Sequence, residues 1–117
     1  MLTTTIEEPA RYRNSLRVRA GLSELEYNGR VEELTPLECA LLLALLSAPE
    51  GGLTYAEIAL ALWGTVVSNA SGRIYVHTAN LRSKLLACTG AAGLIRARLG
   101  RLRFDARLLG DCAISAD

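Results

Sequence analysis

The stretch 71–88 places the tightest limit on what this chain can fold into. Its apolar residues Ile74, Leu81 and Leu85 recur at i, i+7 and i+11, which is the spacing of one face of a helix. The remaining positions are rich in polar and charged side chains, namely Arg73, His77, Asn80, Arg82 and Lys84. The pattern predicts an amphipathic helix over 71–88. Taken alone, it fits both an ordinary surface helix with solvated charges and a helix that enters a nucleic-acid groove.

A short antiparallel sheet is predicted ahead of this helix. Apolar Leu16 and Val18 alternate with arginines, as expected for a half-buried strand. The dipeptide Asn28-Gly29 is a strong signal for a two-residue hairpin turn, because both residues tolerate positive φ. We therefore expect strands at about 16–20, 23–27 and 30–34.

Two helix starts follow the sheet, and each is marked by a capping box. Thr35 and Glu38 form the first box, and Thr54 and Glu57 form the second. The first helix, at about 36–47, has leucines all around its axis, so it is either central or covered by a partner. In a domain of this size, we expect one apolar face of that helix to meet a second copy and give a homodimer.

Residues 94–106 predict a β-hairpin whose exposed side is basic. Apolar and charged residues alternate through LIRARLGRLRFDA, and a tight turn is expected at Gly100-Arg101. The residues expected to face inward are Ile95, Ala97, Leu99, Leu102 and Phe104. The exposed ones are Arg96, Arg98, Arg101 and Arg103. Charges also protect the edges of sheets. Four charges of one sign repel one another, however, which favours a polyanion as partner.

The composition limits the class of protein. The chain has 117 residues and a net charge of +1, so one domain is expected, and a nucleic-acid function has to rest on local clusters of basic residues. Three cysteines at long spacings and a single histidine exclude a Cys/His zinc site of familiar spacing and argue against a disulfide framework. No metal and no cofactor are expected.

Catalytic and membrane functions are not expected either. The sole histidine, His77, has no acid within the same two turns of its helix, and the sequence has no glycine-rich phosphate loop or nucleophile elbow. The longest apolar run, 39–46, has the length of a core helix and not of a membrane span. The first residues do not have the pattern of a signal peptide. The sequence therefore predicts a cytoplasmic protein that is not an enzyme.

The predicted domain covers 15–108, between a flexible tail at 1–14 and a C-terminal tail at 109–117. Its class is α+β, with a short antiparallel sheet, then three helices, then the basic hairpin. This order resembles the winged helix-turn-helix effector domain of OmpR/PhoB-type response regulators over about residues 16–106. The segments that carry the resemblance are 34–38, 54–64, 76–85 and 94–96.

The resemblance implies a function for three segments. In that family the third helix enters the major groove of DNA, the hairpin or wing touches the minor groove or backbone, and the loop after the second helix commonly contacts RNA polymerase. By position, 71–88 would be the recognition helix, 94–106 the wing and 63–70 the transactivation loop. The chain departs from the family in having three predicted strands where four are usual. It also has no receiver domain, so we expect a stand-alone effector or a fragment of a longer protein.

The resemblance also indicates which side chains meet DNA. With the apolar stripe inward, a helical wheel places Val76, Ala79, Asn80 and Ser83 on the opposite side of 71–88. Asn80 can bond adenine bidentately, Val76 can touch a thymine methyl, and Arg82 can reach guanine. The positions between this side and the apolar stripe, which we call the shoulders of the helix, reach phosphates more easily than base edges. The predicted DNA-binding residues are Arg73, Val76, His77, Asn80, Arg82, Ser83, Lys84, Arg96, Arg98, Arg101 and Arg103.

Two functions therefore remain open. The first is a DNA-binding transcription regulator that acts as a dimer on double-stranded DNA. The second is a winged helix that serves as a protein-interaction module, with RNA polymerase or another regulatory protein as its partner. The near-neutral net charge, the neutral centre of the 71–88 helix and the leucine-rich first helix favour the second.

Overall fold

The computed structural model describes residues 14–65 and 67–117. The strands are β1 Asn14–Arg19, β2 Glu24–Tyr27, β3 Arg30–Glu33, β4 Leu53–Thr54, β5 Ile95–Arg98, β6 Arg101–Phe104 and β7 Cys112–Ala116. The helices are α1 Pro36–Leu46, α2 Tyr55–Trp63 and α3 Ala70–Thr89, with short 3-10 turns at Ala20–Leu22 and Ala106–Leu109. The predicted tail at 1–14 lies outside the described residues except for Asn14, which begins β1.

The first sheet is built around the predicted hairpin. β1 pairs antiparallel with β2, and β2 pairs antiparallel with β3. The turn between β2 and β3 is Asn28-Gly29, with φ of 51° and 89°. The Asn28 side-chain oxygen also accepts a hydrogen bond of 2.8 Å from the backbone N–H of Ser15. The Asn-Gly prediction is confirmed, because the turn needs positive φ at both positions.

The predicted C-terminal tail at 109–117 is wrong. Within it, Cys112–Ala116 forms β7, which pairs parallel with β1 and places Ile114 opposite Leu16. The sheet order is β3-β2-β1-β7, so β7 supplies the fourth strand that the sequence did not predict. A parallel pair needs a long crossover between its strands. Here the whole helical region and the wing separate β1 from β7 along the chain, so no local sequence pattern predicts the pairing.

The helix starts agree with the prediction. The Thr35 hydroxyl accepts a hydrogen bond of 3.1 Å from the Glu38 backbone N–H, and the Glu38 carboxylate accepts one of 2.9 Å from the Thr35 N–H. Thr54 and Glu57 make the same exchange at 3.2 and 2.8 Å. α3 extends the predicted 71–88 helix by one residue at each end and stops at Gly90, which has a φ of 77°.

The core explains why α1 is apolar on every side. α1 packs against α2, α3 and β6, so it is enclosed by this chain itself. Its leucines are all buried or half-buried. The largest buried side chains are Leu16, Leu25, Leu41, Leu42, Ile58, Ile74, Leu81, Leu85, Leu94 and Leu102. The apolar helix surface that suggested a homodimer is therefore used inside the domain.

The wing belongs to a second sheet with the order β4-β6-β5. Its turn is Leu99-Gly100 and not Gly100-Arg101, because Arg98 pairs directly with Arg101 and both turn residues have positive φ. Leu99, which was predicted to face inward, is at the tip and 88% exposed.

Glycine is needed where β4 begins. A Cβ at Gly52 would lie 2.3 Å from the backbone oxygen of Leu102 in β6. Because glycine has no side chain, the backbone can pass this close to β6. The short strand β4 can then connect the wing to the start of α2.

We expect Ile114→Ala to destabilise the domain by about 1–3 kcal/mol, because Ile114 packs against the core from β7. The neighbouring Ser115→Ala, at an exposed position, serves as the control and is expected to change stability by less than about 0.5 kcal/mol. Urea unfolding followed by circular dichroism measures both. Equal midpoints for the two variants would mean that β7 does not contribute to the fold in solution.

Candidate nucleic-acid interface

α3 presents one polar face to the exterior. Its buried residues are Ile74, Thr78, Leu81, Leu85 and Cys88. On the opposite side, Val76, Asn80 and Ser83 are exposed, and Arg73 is exposed at the border of that side. Among the residues that the structure describes, the side chains of Arg73, Asn80 and Ser83 make no hydrogen bond, so their polar groups are free to meet a ligand. The predicted reading face is thus one continuous surface.

Lys84 forms an ion pair inside the fold. Its Nζ donates to Glu38 Oε1 at 2.6 Å, and Glu38 is only 2% exposed. The same oxygen accepts the N–H of Thr35. The ammonium of Lys84 therefore neutralises a buried carboxylate and ties α3 to the start of α1. From the sequence, Glu38 was recognised only as a capping residue, and nothing in the sequence joined it to Lys84.

Arg82 is also engaged within the fold. Its Nε donates to the carbonyl oxygen of Ile95 at 3.1 Å, and its side chain is half-buried. This bond joins the middle of α3 to the first residue of β5. Arg82 therefore ties the wing to α3.

His77 lies between two helices. Its ring centroid is 6.3 Å from that of Trp63 at the end of α2, with an angle of 51° between the ring planes. His77 is half-buried, so this packing contact occupies part of its surface. Of the predicted residues on this shoulder of α3, Arg73 is the exposed one.

The wing carries its arginines on one face. In the β5–β6 register, Arg96 is opposite Arg103 and Arg98 is opposite Arg101, which puts all four side chains on the same side of the hairpin. Like charges directly opposite each other in a sheet are destabilising. Within the described chain, Arg98 and Arg103 have no salt bridge. Arg101 has a 3.9 Å contact with Glu57 and donates to the backbone oxygen of Gly52 at 3.4 Å. The face is therefore positively charged and open to an anion.

Asp105 anchors the base of the wing. Its carboxylate is 4% exposed and is contacted by Arg107 Nε at 3.2 Å and Arg96 Nη1 at 3.4 Å. Its backbone N–H donates to the carbonyl of Leu94 at 2.7 Å. The hydrogen bond from Arg107 lowers the pKa of Asp105. Sequence reasoning missed this residue, although an acid directly after an arginine-rich strand is a signal for such a role.

The described ranges give little support for a metal site, a reactive thiol or a membrane span. They hold no group of three or more His, Cys, Asp or Glu residues that could bind a metal ion. Cys39, Cys88 and Cys112 are free thiols, and burial raises the pKa of each. In the same part of the chain, none of the helices is long and apolar enough to cross a membrane.

A helical core of α1, α2 and α3 with a β-hairpin fixed beside α3 defines a winged helix-turn-helix domain. The chain belongs to the family described as "Transcriptional regulatory protein, C terminal", the OmpR/PhoB-type effector domains, whose model matches residues 29–101. It is therefore a DNA-binding domain of a transcription regulator, and its family is one of regulators and not of enzymes.

Solved structures share the fold. The DNA-binding domain of E. coli CadC superposes with a TM-score of 0.65 at 17% identity, covering 80% of this chain and 94% of that one. The DNA-binding domain of CpxR from E. coli gives a TM-score of 0.61 at 22% identity, covering 84% and 88%. No curated protein sequence matches this chain.

We expect Lys84→Met to lower the free energy of unfolding by about 1–3 kcal/mol, since it leaves the Glu38 carboxylate buried without a cation. Chemical denaturation gives the value. Adding Glu38→Gln to Lys84→Met is expected to restore most of the stability, because glutamine keeps the capping bond without a charge. Arg73→Met, on the exposed face, is the matched control. An equally large decrease in the control would contradict a structural role specific to Lys84.

Proposed function

We propose that this domain binds double-stranded DNA with α3 in the major groove and the β5–β6 wing on the minor groove or backbone. One observation carries the proposal. The exposed face of α3 has polar side chains with no partner in the described chain, and it stands beside a wing that Arg82 holds in place. A major groove admits an α-helix of this kind, and the wing then lies over the neighbouring backbone.

Base recognition is assigned to a few residues. Asn80 is placed to bond the N6 and N7 edge of adenine, and Val76 to touch a thymine methyl. Ser83 is exposed on the same face, and Arg73 lies at its border, where it would meet a phosphate. Lys84 and Arg82 act mainly through the fold, because both are held by contacts inside the domain. The reading face is therefore smaller than the sequence suggested.

The wing supplies electrostatic attraction. Arg98 and Arg101 flank the exposed Leu99-Gly100 tip, which can extend toward DNA. Arg96 and Arg103 sit one residue pair further from the tip. Contacts from such arginines to phosphates would give affinity that falls steeply with salt.

Few base contacts per protomer favour action in pairs. We propose that two protomers occupy neighbouring DNA sites in the cytoplasm, although α1 offers no exposed leucine for their contact. The 63–70 segment between α2 and α3 is the proposed contact for RNA polymerase, since Gly64, Thr65, Ser68 and Asn69 are exposed there.

A specific observation supports the alternative function. Tyr75 and Val76 on α3 are 68% and 55% exposed, and Ala79 lies beside them. An apolar strip of this kind also suits a protein-interaction module. Titrations with DNA distinguish the two functions, because a protein-interaction module would bind random duplex DNA weakly even at low salt.

We expect the domain to bind random duplex DNA with an affinity that falls linearly in log–log plots against salt. Replacing both Arg98 and Arg101 by alanine should reduce the slope by about 2, because two phosphates would no longer be neutralised by the wing. Fluorescence anisotropy at several salt concentrations measures the slope. Arg17→Ala, on the first sheet, is the control and should leave it unchanged. Absence of binding by the wild-type domain at low salt would overturn the proposal.

We expect Asn80→Ala to relax sequence preference rather than to abolish binding. Selection of preferred sites from a random duplex pool, followed by competition with single-base variants, would show one adenine position losing about 1–3 kcal/mol of discrimination. Affinity for random DNA should change little, because Asn80 carries no charge. Ser71→Ala, an exposed substitution in the first turn of α3, is the comparison. Equal discrimination by Asn80→Ala and wild type would exclude Asn80 as a reading residue.

A further inference from the structure

A groove with a volume of about 1020 Å³ runs along the arginine face of the wing. Residues of the wing and of the loop from Ala48 to Gly51, which follows α1, line it. Among the described residues, those of α3 do not line it. The groove therefore does not include the α3 face proposed to read DNA bases, but it shares Arg98 and Arg101 with the proposed phosphate contacts of the wing.

The walls of the groove are strongly cationic. The lining arginines are Arg96, Arg98, Arg101, Arg103 and Arg107, while the lining carboxylates are those of Glu50 and Asp105. Asp105 already contacts Arg96 and Arg107. Arg98 and Arg103 have no salt bridge in the described part of the chain, so the groove has unneutralised positive charge.

Part of the groove lining is apolar, and we call this part the floor. Leu46 at the end of α1, Phe104 in β6 and Ile114 in β7 line it, and each is only half-buried. These three side chains come from three elements that meet only in the folded domain. They offer the kind of surface on which an apolar side chain of a ligand can be buried.

We propose that this groove docks an acidic amphipathic peptide segment of a partner protein. A phosphate backbone would use the arginines, but it would leave the apolar floor uncovered and would approach the carboxylates of Glu50 and Asp105. A helix with one apolar stripe and acidic flanks satisfies both surfaces, because its stripe covers the floor while its carboxylates meet Arg98 and Arg103. The volume is at the upper limit of the roughly 300–1,000 Å³ of small-molecule sites, which favours a chain segment.

The groove shares residues with the proposed DNA contacts. Arg98 and Arg101 line it and are also the arginines proposed to meet phosphates. The peptide and DNA therefore compete for the wing, and docking of the partner weakens DNA binding.

The test uses a fluorescein-labelled synthetic helix of Glu, Leu and Phe, with its apolar residues at i, i+3, i+4 and i+7. Anisotropy should rise with the wild-type chain, and Arg103→Glu should weaken binding at least about tenfold by turning attraction into repulsion. Arg30→Glu, a matched charge reversal on β3 at the far edge of the first sheet from β7, should leave binding unchanged. A scrambled peptide of the same composition should bind at least about tenfold more weakly, because it has no apolar stripe.

Loss of folding can be distinguished from loss of peptide binding. Arg103 lies opposite Arg96. The hydrogen bond from Arg107 and, to a smaller extent, the charge of Arg103 lower the pKa of the buried Asp105 carboxylate. Circular dichroism therefore checks that Arg103→Glu keeps the hairpin intact. Arg98→Glu, at an exposed position on the same face, is the second variant and should also weaken peptide binding. Amide NMR shifts on adding the peptide should fall on 46–51 and 96–107. Shifts on α3, or equal binding of the scrambled peptide, would overturn the proposal.

One further outcome would also overturn it. Self-association of the wild-type chain that Arg103→Glu abolishes, seen by sedimentation equilibrium, would assign the groove to a second copy. The peptide measurements contain no DNA, so failure here and failure of the DNA titrations are distinguishable.

Discussion

The carboxylate of Glu38 is the interaction on which the arrangement of the helices depends. It caps α1 through the N–H of Thr35 and accepts the ammonium of Lys84 from α3. A buried carboxylate without these partners would be strongly unfavourable. One side chain therefore sets where α1 begins and how α3 lies across it. The orientation of the exposed face of α3 follows, because a turn of α3 would break that contact.

The wing depends on α3 in a similar way. Arg82 joins α3 to the carbonyl of Ile95, and Asp105 holds Arg96 and Arg107 at the base of the hairpin. These charged groups hold the hairpin in position, whereas Arg98 and Arg103 remain without a salt bridge in the described chain. The domain thus divides its arginines between building the wing and giving it positive charge, which explains how a chain of net charge +1 carries a strongly basic surface.

Local patterns explain what could be predicted. The capping boxes join residues three positions apart, the Asn28-Gly29 turn involves adjacent residues, and the stripe of α3 repeats within a few turns. Each is determined by residues that are close together along the chain. The element order, and with it the winged-helix class, followed from these signals. The contacts of the shoulder residues of α3 were harder to predict. A helical wheel shows the direction in which a side chain points, but it does not show which neighbouring residue a charged side chain will contact.

The sequence by itself determined the helices, the first hairpin and the basic character of the wing, because these depend on neighbours along the chain. Only the tertiary structure decided that β7 completes the first sheet beside β1, that α1 is enclosed by its own domain and that Lys84 belongs to Glu38. Lys84 and Glu38 are 46 positions apart. Contacts of that range depend on how whole elements pack, and packing brings together residues whose local patterns are unrelated.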